Sequence, residues 1–258
     1  MYPILFEFFG IQIPTYGVLL AVSFLLGLRV AIAYGRREGI TPEQVMNLWL
    51  CVLVAGVVGA KLTLYLIDLD YYIRNPSALL SSCRSAGVLY GGIILGVIAG
   101  LEYARRAGLP IWKSLDFSAP TLAFGHALGR LGCLAAGCCY GRPTDLAWGL
   151  TFTRPEAKRI TDVTLDLPLH PTQVLLSLGG FVVFGTLVFL YRRKRFDGEI
   201  FAVYLILETF LRFWIEFLRA DRRGILLGLP TSQTLAIVGF IAGLFLLFWR
   251  RHQMPERF

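Results

Sequence analysis

Charge is what this sequence has least of. Only 16% of its 258 residues are Asp, Glu, Lys or Arg, against about 25% in an ordinary soluble domain. Histidine occurs three times. No HExxH, no phosphate-cradling P-loop and no Ser-His-Asp spacing is present, which excludes the usual soluble-enzyme centres. An internal repeat of the kind that marks an inverted-repeat transporter is missing, as is a low-complexity linker. The chain therefore reads as one domain, 1–258. Its first segment has no basic run and no small-residue cleavage site, and it carries Glu7, so a cleaved signal peptide is not expected. No basic domain with base-stacking aromatics accompanies the net charge of +8, which removes nucleic acid as a partner.

What remains is apolar. Hydrophobic residues make up 56% and the mean hydropathy is +0.63. Apolar runs at roughly 13–34, 45–67, 87–104, 114–136, 171–191, 199–219 and 231–249 each have about the 17–25 residues that cross a bilayer. The expected fold is an all-α polytopic membrane protein with seven transmembrane helices. Arg36, Arg37, Arg105, Arg106, Lys113, the run Arg192–Arg195, Arg250, Arg251 and Arg257 fall in short segments on one side. The positive-inside rule makes that side cytoplasmic, giving N-out and C-in, with anionic membrane lipids as neighbours. The longest polar segment, 137–170, then faces outward as a small surface element, with short strands expected around WGLTF and DVTLDL.

Several ionisable residues sit inside these spans, where they are costly and face a protein interior or a wet cavity: Lys61, Asp116, Arg130, Glu208, Arg212 and Glu216. On a helix, Glu208, Arg212, Glu216 and Arg219 form one polar stripe, in which Arg212 and Glu216 pair at i,i+4. Arg130 stands between Gly129 and Gly132, where a ligand can approach closely. Its planar fork suits a phosphate, such as that of a phospholipid entering sideways. Interfacial anchoring is the plainer reading of this arginine.

In the stretch GRLGCLAAGCCYG, the spacing of Cys133, Cys138 and Cys139 is not a zinc-knuckle pattern. No metal and no cofactor are expected. Packing beside glycine, a disulfide from Cys83 to Cys138 or Cys139, and a His126–cysteine ligand set stay open as readings of these thiols.

Taken together, IPTYG, Gly56–Leu62 (GxxxGAKL), LYGG at Leu89–Gly92, GRLG at Gly129–Gly132 running on to YGRP, HPTQ at His170–Gln173, LRFWIEFLR at Leu211–Arg219 and PTSQ at Pro230–Gln233 resemble the bacterial prolipoprotein diacylglyceryl transferase family, in its order and over nearly the whole chain. The resemblance implies transfer of the diacylglyceryl group of phosphatidylglycerol to the lipobox cysteine thiol of a preprolipoprotein. Glycerol phosphate would leave, at the outer leaflet of the bacterial cytoplasmic membrane. It implies catalytic roles for Tyr16, Arg130, Arg212 and Glu216, with Tyr90 or Glu208, each in place of a family residue, as the base. Substrate binding would fall to Arg130, Gly129, Gly132, Gly141, Arg212, Lys61, His170 and Gln173. Cys133, Ala136 and Cys138 stand where the family signature has asparagine, asparagine and glutamate, Tyr90 where it has histidine, and Glu208 where it has tyrosine. A paralogue acting on another acceptor, or a non-catalytic phospholipid-binding or transport protein, is the alternative.

Overall fold

The computed structural model describes residues 2–8, 11–82, 87–161, 163–220, 224–226 and 228–253. The chain opens with an antiparallel hairpin, β1 (Ile4–Phe8) and β2 (Ile11–Pro14), that leads directly into helix α1 (Thr15–Arg37). Helix α2 (Pro42–Ile67) follows, then two short helices, α3 (Leu69–Arg74) and α4 (Ser77–Ser82). The long helices α5 (Leu89–Arg106) and α6 (Ile111–Ala136) come next. A segment of short elements holds β3 (Leu150–Thr151), α7 (Pro155–Thr161) and β4 (Pro168–Leu169). The chain continues through α8 (Thr172–Tyr191), α9 (Glu199–Glu216), the pair β5 (Ile225–Leu226) and β6 (Leu229–Pro230), and α10 (Thr231–His252).

Among the described residues, seven long helices fall on the seven apolar stretches of the sequence. Four of them, α1, α2, α8 and α10, are long and apolar enough to cross a membrane. Charges dilute two of the others: Glu102, Arg105 and Arg106 on α5, and Glu199, Glu208, Arg212 and Glu216 on α9. Large aliphatic side chains cover the helix surfaces, with Leu66 and Val182 each 69% exposed. Such contiguous apolar surface belongs against lipid.

Two compact units divide the chain. The second, Ile32–Ser114, is built on α2 and α5. Helix α2 starts at a capping box: Thr41 Oγ1 accepts from Gln44 N at 3.3 Å, and Thr41 N donates to Gln44 Oε1 at 3.1 Å. These two bonds satisfy backbone donors that a helix start leaves open. The two helices meet through glycine. A Cβ on Gly59 would stand 2.4 Å from the Gly91 carbonyl oxygen, and one on Gly91 would stand 1.9 Å from Thr63 Oγ1. Backbone-to-backbone packing of this kind replaces the hydrophobic effect between helices in lipid.

The first unit comprises Met1–Ala31 and Leu115–Phe258. Its helices are tied by polar side chains bonded to backbone carbonyls: Ser23 Oγ donates to Gly125 O at 3.0 Å and Ser177 Oγ to Ala127 O at 2.9 Å. Asp116 has a structural post here. Its fully buried carboxylate accepts from Gly198 N at 2.7 Å and Phe201 N at 3.0 Å, and Lys194 Nζ lies 3.4 Å away. It thereby caps the start of α9, where four backbone N–H groups need acceptors. The polar segment after α6 has a small core of its own, Phe152, Ala157, Val163 and Leu169, joined by Tyr140 and Leu165. Strand β3 falls inside WGLTF as expected, whereas β4 lies just past DVTLDL, paired Leu150 with Leu169 and Thr151 with Pro168.

Candidate active site

The end of α6, the turn after it and the second half of α9 come together in the first unit. His126 and Arg130 lie one turn apart on α6 and share a face. His126 Nδ1 is 3.0 Å from Glu208 Oε1 and 3.4 Å from the Tyr204 hydroxyl. Arg130 and Arg212 both act electrostatically on the Glu208 carboxylate. Two guanidiniums from different helices thus bear on one acid. Further along α9, Arg212 Nη2 lies 3.5 Å and Arg219 Nε 3.9 Å from the same Glu216 oxygen, Oε2. The stripe expected on one helix is real but bent: α9 ends at Glu216, and Arg219 reaches back from the turn that follows.

That turn is clamped to the one after α6. Arg142 N donates to Leu218 O at 2.8 Å, Ala220 N to Tyr140 O at 3.3 Å, and Arg142 Nε to Arg219 O at 3.2 Å. His170 N donates to Arg142 O at 2.9 Å, which adds the start of α8. Gly141 is the pivot. A Cβ there would stand 2.5 Å from both the Cβ and the carbonyl oxygen of His170, and 2.9 Å from the Leu218 carbonyl oxygen. Gly129, by contrast, has nothing within 4 Å of an added Cβ, so open space adjoins the helix next to Arg130.

The three cysteines of the signature stretch also converge. Their Sγ atoms all lie within 4.8 Å of one another, and Arg130 Nη1 donates to Cys139 Sγ at 3.7 Å. Gln173 Nε2 holds the Cys138 carbonyl at 2.8 Å, and Thr172 Oγ1 holds that of Cys139 at 2.7 Å. Cys139 has a left-handed backbone, φ 61°, which for a non-glycine residue persists only where the surroundings impose it. Hydrogen bonds from Cys133 and Cys138, and then the charges of Arg219 and Arg130, hold the Cys139 thiol below the usual thiol range. Tyr16 packs its ring on Gly132, 3.1 Å from where a Cβ would stand. It lies within electrostatic reach of all three thiols and of Arg130. Cys133, Cys138 and Cys139 are free thiols, and Cys83 lies outside the described residues.

Of the residues picked out in the sequence, Tyr16, Gly129, Arg130, Gly132, Gly141, His170, Gln173, Glu208, Arg212 and Glu216 belong to this unit. Lys61 and Tyr90 belong to the other, where Lys61 Nζ donates to the Ser82 carbonyl and Tyr90 is 39% exposed near the start of α5.

A model of the prolipoprotein diacylglyceryl transferase family matches residues 3–249. The chain belongs to that family. Among its relatives is the phosphatidylglycerol–prolipoprotein diacylglyceryl transferase of Clostridium tetani, 33% identical over 246 residues, covering 95% of this chain and 96% of that protein. The protein of the same name from Finegoldia magna is 33% identical over 243 residues, covering 93% of this chain and 92% of its own. That of Trichormus variabilis is 30% identical over 264 residues, covering 98% and 92%. In this diacylglyceryl transferase family member, His126, offered by the sequence only as a ligand beside the cysteines, instead meets Glu208. An imidazole on an apolar helix one turn before Arg130 was the available signal. Its partner Glu208 lies 82 residues away, a distance that no local pattern bridges.

Proposed function

We propose that this chain transfers the diacylglyceryl group of phosphatidylglycerol to the lipobox cysteine thiol of a preprolipoprotein, with glycerol phosphate leaving. The observation that carries the reading is the meeting of α6 and α9 at His126 and Glu208, 3.0 Å apart, with Arg130 one turn further along α6 and Arg212 one turn further along α9. Cations from two helices, beside the open space at Gly129, suit a phosphate that gains charge as the ester bond breaks. In a water-poor site such donors contribute most to the barrier. Arg130 and Arg212 bind the headgroup phosphate, and Glu216 orients Arg212. Gly129 and Gly132 leave room for the lipid, and Tyr16 closes that side. Gly141, His170 and Gln173 fix the turn. Glu208, with His126 behind it, takes the thiol proton, since the thiolate is the nucleophile. Lys61 is assigned to substrate binding and Tyr90 to catalysis.

This reading has all seven long helices crossing the bacterial cytoplasmic membrane as one domain, N-terminus outside, with the site toward the outer leaflet. The bias of basic residues supports that orientation. A second reading, a paralogue with another acceptor, draws on Cys133, Ala136 and Cys138, which leave this signature without a carboxylate or amide. Complementation of a host depleted of its own transferase separates the two. Restored lipoprotein maturation is expected, lost with Arg130→Ala. Full expression without rescue, while phosphatidylglycerol still binds, would favour the paralogue.

A further inference from the structure

Cys133 is at the end of α6, and Cys138 and Cys139 are in the turn after it, so the spacing along the chain does not look like a ligand set. The turn creates one. Cys138 N and Gly137 N bond back to Cys133 O at 3.1 and 3.0 Å, folding the thiols toward each other. Thr172 and Gln173, both buried, then fix the two carbonyls.

We propose that Cys133, Cys138 and Cys139 bind one soft divalent cation of the zinc type, whose open fourth position takes the acceptor cysteine as its thiolate. Metal–sulfur bonds of about 2.3 Å put three thiolates about 3.8–4.0 Å apart. The Sγ atoms, within 4.8 Å of one another, reach this by closing about 1 Å or less. Three protein ligands with one open position is the arrangement of a catalytic rather than a structural zinc site. Three thiolates and a dication carry one net negative charge, and the Arg130 guanidinium at Cys139 Sγ is placed to balance it. Rigid carbonyl anchors around the turn supply the preorganisation such a site needs.

The second half of the proposal rests on the function proposed above. The acceptor thiol loses its proton to water or to Glu208 as its sulfur coordinates the cation. That sulfur then attacks the glyceryl carbon. A carbon–sulfur bond forms, the carbon–oxygen bond to phosphate breaks, and the electron pair leaves on the phosphate oxygen as glycerol phosphate. No electrons are exchanged with an outside reagent.

The test uses full-length protein purified in detergent, reduced, chelator-stripped and reloaded with Zn²⁺, Cd²⁺ or Co²⁺. One metal per chain should survive desalting, with a thiolate-to-cadmium charge-transfer band. Cys133→Ser and the Cys133/Cys138/Cys139→Ser triple variant should lose both, while Cys51→Ser keeps them. Should a variant fail to fold, bound Cd²⁺ must still protect the three wild-type thiols from maleimide. Adding a lipobox peptide should shift the Co²⁺ spectrum, and a peptide with serine for cysteine should not. Metal retention no greater than in the triple variant, or unprotected thiols, overturns the site. A Co²⁺ spectrum indifferent to the cysteine peptide, or stripped protein that transfers lipid at the full rate, overturns the thiol activation and leaves the lipid-transfer reading standing. Metal bound and peptide engaged, with no lipid transferred by loaded or stripped protein, instead counts against the transferase reading.

Discussion

The clamp at Gly141 makes a quantitative demand. In Gly141→Ala the new methyl would sit 2.5 Å from the His170 Cβ and carbonyl oxygen, and 2.9 Å from the Leu218 carbonyl oxygen. Two of these three neighbours are backbone atoms. Leu218 O is held by Arg142 N at 2.8 Å, and His170 is held by its own N–H to Arg142 O at 2.9 Å. No side-chain rotation relieves the overlap, so the two turns must part. Overpacking of this kind costs about 1–3 kcal/mol, and each bond stretched beyond use adds about 0.5–1.5 kcal/mol. With both bonds lost, the expected loss is about 2–6 kcal/mol. For a chain of this size that lowers the apparent unfolding midpoint by about 5–20 °C. Because the clamp joins the turns that carry Cys139 and Arg219, transfer activity should fall below what unfolding alone explains. Gly129→Ala is the matched comparison. Nothing lies within 4 Å of its added methyl, and alanine in a helix interior is favoured over glycine by about 0.5–1 kcal/mol. That variant should melt no lower than the wild type while binding phosphatidylglycerol more weakly. A Gly141→Ala protein with wild-type midpoint and wild-type turnover would refute the steric reasoning.

Arg130→Ala should lower kcat/KM for phosphatidylglycerol by on the order of 10²–10³-fold, the usual effect of removing one donor from a developing anion, with an unchanged unfolding midpoint as the control. A double-mutant cycle of His126→Phe and Glu208→Gln, read as transfer rate, should give a coupling of about 0.5–3 kcal/mol; strict additivity would mean that the 3.0 Å contact has no role. Asp116→Ala should destabilise the protein by about 1–3 kcal/mol, because the Gly198 and Phe201 N–H groups lose their acceptor, and Asp116→Asn should recover part of that. In the second unit, Gly91→Ala should depress stability more than Gly96→Ala, whose nearest neighbour would be 3.4 Å away rather than 1.9 Å.

Much of the helical frame was legible in the sequence because apolar length is a local property. Runs of about twenty apolar residues announce α1, α2, α8 and α10 without knowledge of their neighbours. The Arg212–Glu216 pair was legible for the same reason, being one turn apart on one helix. Other features depend on distant segments. Asp116 looks like an intramembrane charge facing a cavity until the start of α9 arrives to be capped. His126 finds Glu208 only when α6 meets α9. The three thiols draw together through a left-handed residue at Cys139 and through Thr172 and Gln173, which belong to another helix. Gly141 reads as one more glycine in a rich stretch, and its necessity comes from the carbonyls of His170 and Leu218.

If the cations around Glu208 serve lipid transfer to a thiol, the transfer itself shows it in one assay. Purified protein in phosphatidylglycerol micelles receives a lipobox peptide, with glycerol phosphate release and peptide mass followed together. Stoichiometric release, with a diacylglyceryl thioether on the peptide and both products cut about 10²–10³-fold in Arg130→Ala, is the predicted result. Bound phosphatidylglycerol with no glycerol phosphate and no lipidated peptide, under conditions in which the Clostridium tetani relative turns over, would contradict it.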